Sequence, residues 1–256
     1  MRRKSFREDF EYQCIIGHRG SGMTDEKDYI SKNPIIRENT IPSFNKAFTD
    51  GASWIEFDVQ ITSDKIPIIY HDFLYKETKI PIHKIKSSEW CRTPENTTLD
   101  RLFKECDSKM GFNIEIKYPT EEEITVLNLS GIIDIPEYVN KIFEVLEKYP
   151  ERKIFVSSFH LGVLAYTREF YPNYPLFLIS EKQFNVDDMN ALQLAGVVMP
   201  YALAKDMILK TIKEKGLIVL IYDVNDKTFK CSWELGADGI IADDVLGAIA
   251  SKNKKV

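Results

Sequence analysis

The chain has 256 residues, enough for one large domain or two small ones, and 44% hydrophobic residues with 12% aromatic supply a sizeable core, which argues against disorder. A formal charge of −5 leaves no basic field, so nucleic acid is not expected as a partner. Four cysteines without a CxxC pair, a start lacking the apolar core of a signal peptide and no run of ~18 apolar residues point to reduced thiols, no stable membrane insertion and a cytoplasmic protein.

Short β-branched runs alternate with helical patterns along almost the whole chain, as in a parallel α/β sheet or barrel. In chain order, strands are predicted over 14–17, 54–59, 67–70, 113–117, 153–157, 175–180, 196–199, 217–222 and 239–242, nine segments in all. Between the first two, Thr40 is placed to cap a helix with Pro42 in its first turn, Phe44, Ala47 and Phe48 on one side and Gly51 at its end. Another helix opens near Pro136 and carries Val139, Ile142, Phe143 and Leu146 at helical spacing toward Tyr149. Further helices are predicted over 187–195, 202–215, 226–235 and 244–250, with Gly216 and Gly236 as stop signals.

Eight βα units in roughly 250 residues is the size of a TIM (β/α)8 barrel, whereas a doubly wound sheet usually has fewer strands. The expected fold is therefore an α/β TIM barrel, one domain over 1–256. Nine segments exceed eight, and the connection 60–66 is too short for a helix, so one segment is expected to be a hairpin arm or an extra strand. Two regions break the rhythm. Residues 73–110, with Trp90 and Pro94, read as an insertion after the third strand segment with a helix near 99–106. Residues 119–135 read as a surface loop over one barrel end, and the lysine-rich tail 252–255 as a solvated terminus.

Side chains alternate faces along a strand, so in WIEFDVQ the carboxylates Glu56 and Asp58 share one face while Ile55, Phe57 and Val59 share the other. The pattern returns in NIEIK, where Glu115 and Lys117 face one way and two isoleucines the other. In a barrel the apolar set packs on helices and the charged set points to the mouth. Three carboxylates gathered there would repel one another, and a divalent cation such as Mg²⁺ or Ca²⁺ removes the conflict. An ion-paired or solvent-facing strand is the plainer alternative.

Of four histidines, His18 and His71 sit at strand ends, where functional residues gather in this architecture, and imidazole titrates near neutrality. His160 also follows a strand end and is a further candidate to line the pocket; His83 lacks that context. Arg19 beside His18, and Lys117, bring positive charge. Carboxylates, two imidazoles, an Arg and a Lys together suit an anionic phosphate ester assisted by a metal.

These residues stand within a longer series: GHRG at 17–20, ENTIPSF at 38–44, GASWIEFDVQITSD at 51–64, IIYHD at 68–72, FNIEIK at 112–117, SSF at 157–159 and GADGIIADD at 236–244. In that order and over nearly the whole chain, they resemble the glycerophosphodiester phosphodiesterase family, most of all its eukaryotic glycerophosphocholine phosphodiesterase branch. The resemblance implies a TIM barrel of the phospholipase C-like phosphodiesterase type with an insertion after the His-Asp motif. It also implies hydrolysis of glycerophosphodiesters, glycerophosphocholine being the preferred guess, to sn-glycerol 3-phosphate and an alcohol. Carried over by position, it makes Glu56, Asp58 and Glu115 ligands of one Mg²⁺ or Ca²⁺, His18 and His71 the acid–base pair with His18 as first base, and Arg19 and Lys117 phosphate contacts. Glu38 matches a residue supporting the site from behind. Tyr222 departs from the family, which commonly has Trp followed by Thr there; aromatic contact with substrate is still expected of it. By the same analogy, a cyclic glycerol phosphate forms and water then opens it.

Two rival readings accompany this one. Phospholipase C-type and lysophospholipase D enzymes share the barrel and similar charged positions but act on lipids at membranes. A barrel kept only as a catalytically silent binding module is the other, and none of the seven principal positions is lost in the way such a loss of activity usually requires.

Overall fold

The computed structural model describes residues 6–7, 10–24 and 36–253. The first five residues and positions 254–256 of the basic tail lie outside them.

Among the described residues nine strands form one sheet: β1 (Cys14–Gly17), β2 (Trp54–Ile61), β3 (Pro67–Ile69), β4 (Gly111–Ile116), β5 (Lys153–Ser158), β6 (Leu176–Ile179), β7 (Gly196–Pro200), β8 (Ile218–Val224) and β9 (Gly239–Ala242). Their order is β1-β9-β8-β7-β6-β5-β4-β2-β3, and β1 also pairs with β2. That last pairing, Ile16 opposite Trp54, closes eight parallel strands into a barrel. The ninth segment is settled as well. Strand β3 pairs antiparallel with β2 alone among the strands, Gln60 opposite Ile68, and is the hairpin arm outside the barrel.

Alternation along the strands separates two apolar layers. Ile55, Phe57 and Val59 of β2 and Phe112, Ile114 and Ile116 of β4 face outward and pack with helical residues such as Phe44, Val139, Ile142 and Phe143. The inward set at the N-terminal end holds Trp54, Phe155 and Phe177, closed by Phe6 and Phe10. Burying a side chain of this size contributes about 1.5–3 kcal/mol, so both layers favour the same register.

Local signals place the helices. Thr40 caps Ile41–Thr49 by accepting from the Ser43 N–H, with Pro42 in the first turn, and Gly51 beyond the end has φ 105°. Asp134 accepts from the Glu137 N–H and starts Ile135–Leu146. The region 73–110 holds a 3-10 turn at Ile82–Lys84 and helices Ser87–Trp90 and Leu99–Glu105, folded over Ile68, Ile82, Ile85 and Trp90. Two expectations need correction. Residues 119–135 are not all loop: Thr120 and Glu123 form a reciprocal capping box that starts the helix Glu121–Val126. Helix Leu161–Phe170 also escaped notice, because its buried face is only Val163, Leu164 and Thr167.

Candidate active site at the carboxyl end of the barrel

The charged residues of β2 and β4 do point inward, above the aromatic layer. Glu56 pairs in register with Asn113, and Asp58 with Glu115. All three carboxylates are buried, Glu56 3%, Asp58 1% and Glu115 9% exposed. One oxygen from each lies within 4.8 Å of the others. Such an all-oxygen set suits a hard divalent cation. The residues fit on electrostatic grounds too: burial, then the neighbouring Asp58, pushes the Glu56 carboxyl well above the usual carboxylate range. Asp58 goes the other way; its burial is outweighed by His71, Lys117 and Arg19. Three acidic groups buried side by side raise one another's pKa values, a conflict that a divalent cation would relieve.

A cavity of about 210 Å³ opens over them, lined by His18, Arg19, Glu56, Asp58, His71, Glu115, Lys117 and Tyr222 among others. Most come from the carboxyl halves of barrel strands or the loops after them, where loops meet in this fold, while Glu56 is the third residue of β2 and His71 follows the hairpin arm β3. The structure thus brings together eight of the nine residues singled out in the sequence. Glu38 does not line the cavity; it accepts from Arg19 Nη1 at 2.9 Å and from the Thr24 N–H at 2.7 Å, holding the guanidinium in place. Of the other histidines, His160 caps the helix after β5 by accepting from the Gly162 N–H, and His83 Nε2 lies 2.9 Å from the Ser130 carbonyl oxygen.

Arg19 connects several parts of the site. Its backbone adopts φ 47°, and its N–H donates to Glu56 Oε2 at 2.9 Å while Nε stands 3.6 Å from Asp58. The turn depends on Gly20, at φ 94°, because a Cβ there would lie 2.3 Å from Ser43 Oγ. Ser43 Oγ in turn donates to the Arg19 carbonyl. Lys117 Nζ lies 2.9 Å from Glu115 and 3.9 Å from Asp58, between the rings of Phe73 and Phe159. Buried among carboxylates, it is held firmly protonated: burial lowers its pKa, but Glu115 and Asp58 raise it more.

Each imidazole has a carboxylate at its back. His18 Nδ1 meets Asp243 Oδ1 at 2.9 Å, and its Nε2 faces Glu56 at 3.9 Å. Burial works against the imidazolium, yet Asp243 and Glu56 raise the His18 pKa overall. His71 Nδ1 meets Asp72 Oδ1 at 2.7 Å. The backbone after β3 is pinned by Gln60, whose Nε2 donates to the carbonyls of Tyr70, His71 and Asp72.

Sequence reasoning passed over Asp72, Asp243, Gln60 and Asn39, which donates from Nδ2 to Asp58 Oδ2 at 2.8 Å. All four lie inside the quoted motifs, so the signal was present without a role attached. The Tyr222 hydroxyl donates to Glu181 at 3.3 Å on the cavity wall. No helix among the described residues is long and apolar enough to cross a membrane.

Comparison with known proteins agrees with this architecture. A glycerophosphodiester phosphodiesterase of Arabidopsis thaliana is 27% identical, the match covering 94% of this chain and 77% of the plant protein. A rat glycerophosphocholine phosphodiesterase is 24% identical over 90% of this chain but only 43% of its own length. For a fungal glycerophosphocholine phosphodiesterase, from Eremothecium gossypii, the figures are 25%, 91% and 25%. Among solved structures, a phosphodiesterase of Oleispira antarctica in complex with the product sn-glycerol-3-phosphate superposes with TM-score 0.78 at 21% identity, covering 99% of this chain and all of that one. A glycerophosphodiester phosphodiesterase from Thermotoga maritima gives 0.70 at 22%, covering 94% and 98%. The sequence matches the Glycerophosphoryl diester phosphodiesterase family over residues 18–246, and the chain belongs to that family of enzymes.

Proposed function

We propose that this chain hydrolyses glycerophosphodiesters to sn-glycerol 3-phosphate and an alcohol, with glycerophosphocholine as the preferred substrate. The observation that carries the reading is one cavity lined by three buried carboxylates and two histidines, each histidine backed by its own carboxylate. The glycerophosphocholine phosphodiesterases among its relatives support the choice of alcohol.

Glu56, Asp58 and Glu115 would hold one divalent cation, Mg²⁺ or Ca²⁺, which supplies Lewis acidity to a phosphoryl oxygen and to the hydroxyl that attacks. The protein's own groups do the rest. Asp243 fixes the Nδ1–H tautomer of His18 and leaves Nε2 to take the proton of the glycerol 2-hydroxyl. His71, oriented by Asp72, gives its proton to the departing alcohol. Arg19 and Lys117 are fixed cations, and their charge meets what develops on the phosphoryl oxygens at no reorganisation cost. The resulting cyclic glycerol phosphate is opened by water with the histidine roles reversed. Glu38 holds the Arg19 guanidinium in place through Nη1, and Tyr222 offers an aromatic wall to the substrate. A reducing, cytoplasmic setting agrees with Cys14, Cys91, Cys106 and Cys231 all being free thiols.

A panel of glycerophosphocholine, glycerophosphoethanolamine, glycerophosphoinositol and a lysophospholipid tests this. Glycerophosphocholine should turn over fastest and release glycerol 3-phosphate. Faster turnover of the lysophospholipid would instead favour a lipid phosphodiesterase.

A further inference from the structure

Asn113 lies on β4 two residues before Glu115, on the same inward face, and opposite Glu56 of β2. It belongs to the layer below Asp58 and Glu115. The residue is 1% exposed and still borders the cavity. Ser157 Oγ donates to its Oδ1 at 2.8 Å, which fixes the amide plane. The opposite end, Nδ2, has no hydrogen-bond partner among the described residues.

A buried donor left without an acceptor costs about 1–3 kcal/mol, and native interiors keep few of them. With Glu56 and Glu115 both ionised, turning the amide over gives no relief, because their oxygens are then acceptors only and would repel an amide oxygen. Among the described residues none supplies the acceptor, which leaves the place to a bound molecule, water or substrate. A phosphoryl oxygen suits the place poorly: it would bring negative charge into the carboxylate layer, and the cations that suit it, Arg19 and Lys117, stand nearer the mouth. A hydroxyl suits it well, since it accepts from Nδ2 and can pass its own proton to a carboxylate.

We propose that Asn113 Nδ2 donates to the terminal, non-attacking hydroxyl of the substrate's glycerol unit, and so is a positioning residue that sets the glycerol end at the cavity floor. This inference rests on the phosphodiesterase reading above. It makes the free glyceryl hydroxyl a specificity element and turns the departing alcohol toward the exposed mouth.

The test compares kcat/KM for glycerophosphocholine with that for the analogue lacking the terminal hydroxyl, the phosphocholine ester of propane-1,2-diol. Wild type should prefer the full substrate by about tenfold or more. In Asn113→Ala the preference should fall to within about twofold, because the analogue makes no use of the amide. A merely structural role would lower both rates together and leave the ratio intact. If Asn113→Ala does not fold, Ser157→Ala frees the amide without removing it and should lower the preference part way. An unchanged ratio in the folded variants, or no preference in wild type, overturns the inference. Cleavage of neither diester by wild type overturns the phosphodiesterase reading, and this inference with it.

Discussion

The two ends of the barrel interior are built by the same strands and have opposite chemistry. At the amino end, Trp54 packs with Phe6, Phe10, Phe155 and Phe177; the Phe155–Phe177 ring centroids are 4.7 Å apart and those of Trp54 and Phe155 5.0 Å. Farther along β2, the same inward face carries Glu56 and then Asp58 among Arg19, His18 and Lys117. The aromatic end buries its rings, with a cleft of about 980 Å³ bordering Phe6 and Trp54. The charged end keeps unsatisfied polar atoms, a displaced carboxyl pKa and an open cavity. Stability and chemistry are thus separated along one strand, and the charged layer is tolerable because the aromatic layer below it holds the barrel shut.

If that division holds, substitutions at the two ends separate activity from folding. The largest effect is expected at the charged end. His71→Ala or Glu56→Ala should lower kcat/KM by about 10³-fold or more while the melting temperature stays near wild type; near-normal turnover in either variant would remove the site assignment. At the aromatic end, Phe155→Ala should lose about 3–5 kcal/mol in urea unfolding, with the kcat/KM of the folded protein changed less than about threefold. A large activity loss with unchanged stability there would dissolve the distinction.

Smaller effects sharpen the division within the charged end. Asp243→Asn leaves Glu56, Asp58 and Glu115 in place but removes one of the two groups that raise the His18 pKa. Turnover should fall about 10- to 100-fold. The acid limb of the pH–kcat/KM profile should move to lower pH, since the base then stays unprotonated further down. An acid limb in its wild-type position would mean that His18 is not the base.

The smallest effect is on the melting temperature. Glu56 and His18 both have raised pKa values, so in metal-free protein each favours folding when protonated, and that contribution is lost as pH rises above the ordinary carboxylate and imidazole ranges. Asp58, held low, is charged throughout this window and adds no slope. Chelator should therefore lower the melting temperature by a few degrees near pH ~8 and by little near pH ~5, where protons take the cation's place. A melting temperature indifferent to chelator at both pH values would show that the carboxylates tolerate one another without an ion.

The fold was legible where its signals are local. The period-two alternation of WIEFDVQ tells which side chains face the helices, and Thr40 with Pro42 marks a helix start, since both depend on neighbours in the chain. The identity of the hairpin arm was not legible, because it is decided by β1 closing on β2, a contact between distant segments. The same limit applies in the site. Glu56, Asp58, Glu115, His18 and His71 stand out as charges in apolar runs or at strand ends. The partner of His18 is 225 positions away, and an aspartate in a loop carries no local mark of that role. The capping box at Thr120 and Glu123 was readable in principle, since its two residues are three apart.

If the buried carboxylates of Glu56, Asp58 and Glu115 hold a divalent cation that diester hydrolysis requires, stripping the protein with chelator and then adding back Mg²⁺ or Ca²⁺ should control glycerol 3-phosphate release from glycerophosphocholine. The expected result is no release from stripped protein and full recovery on addition of one of the two cations. Release at the untreated rate in chelator, or phosphocholine as the product, would contradict it.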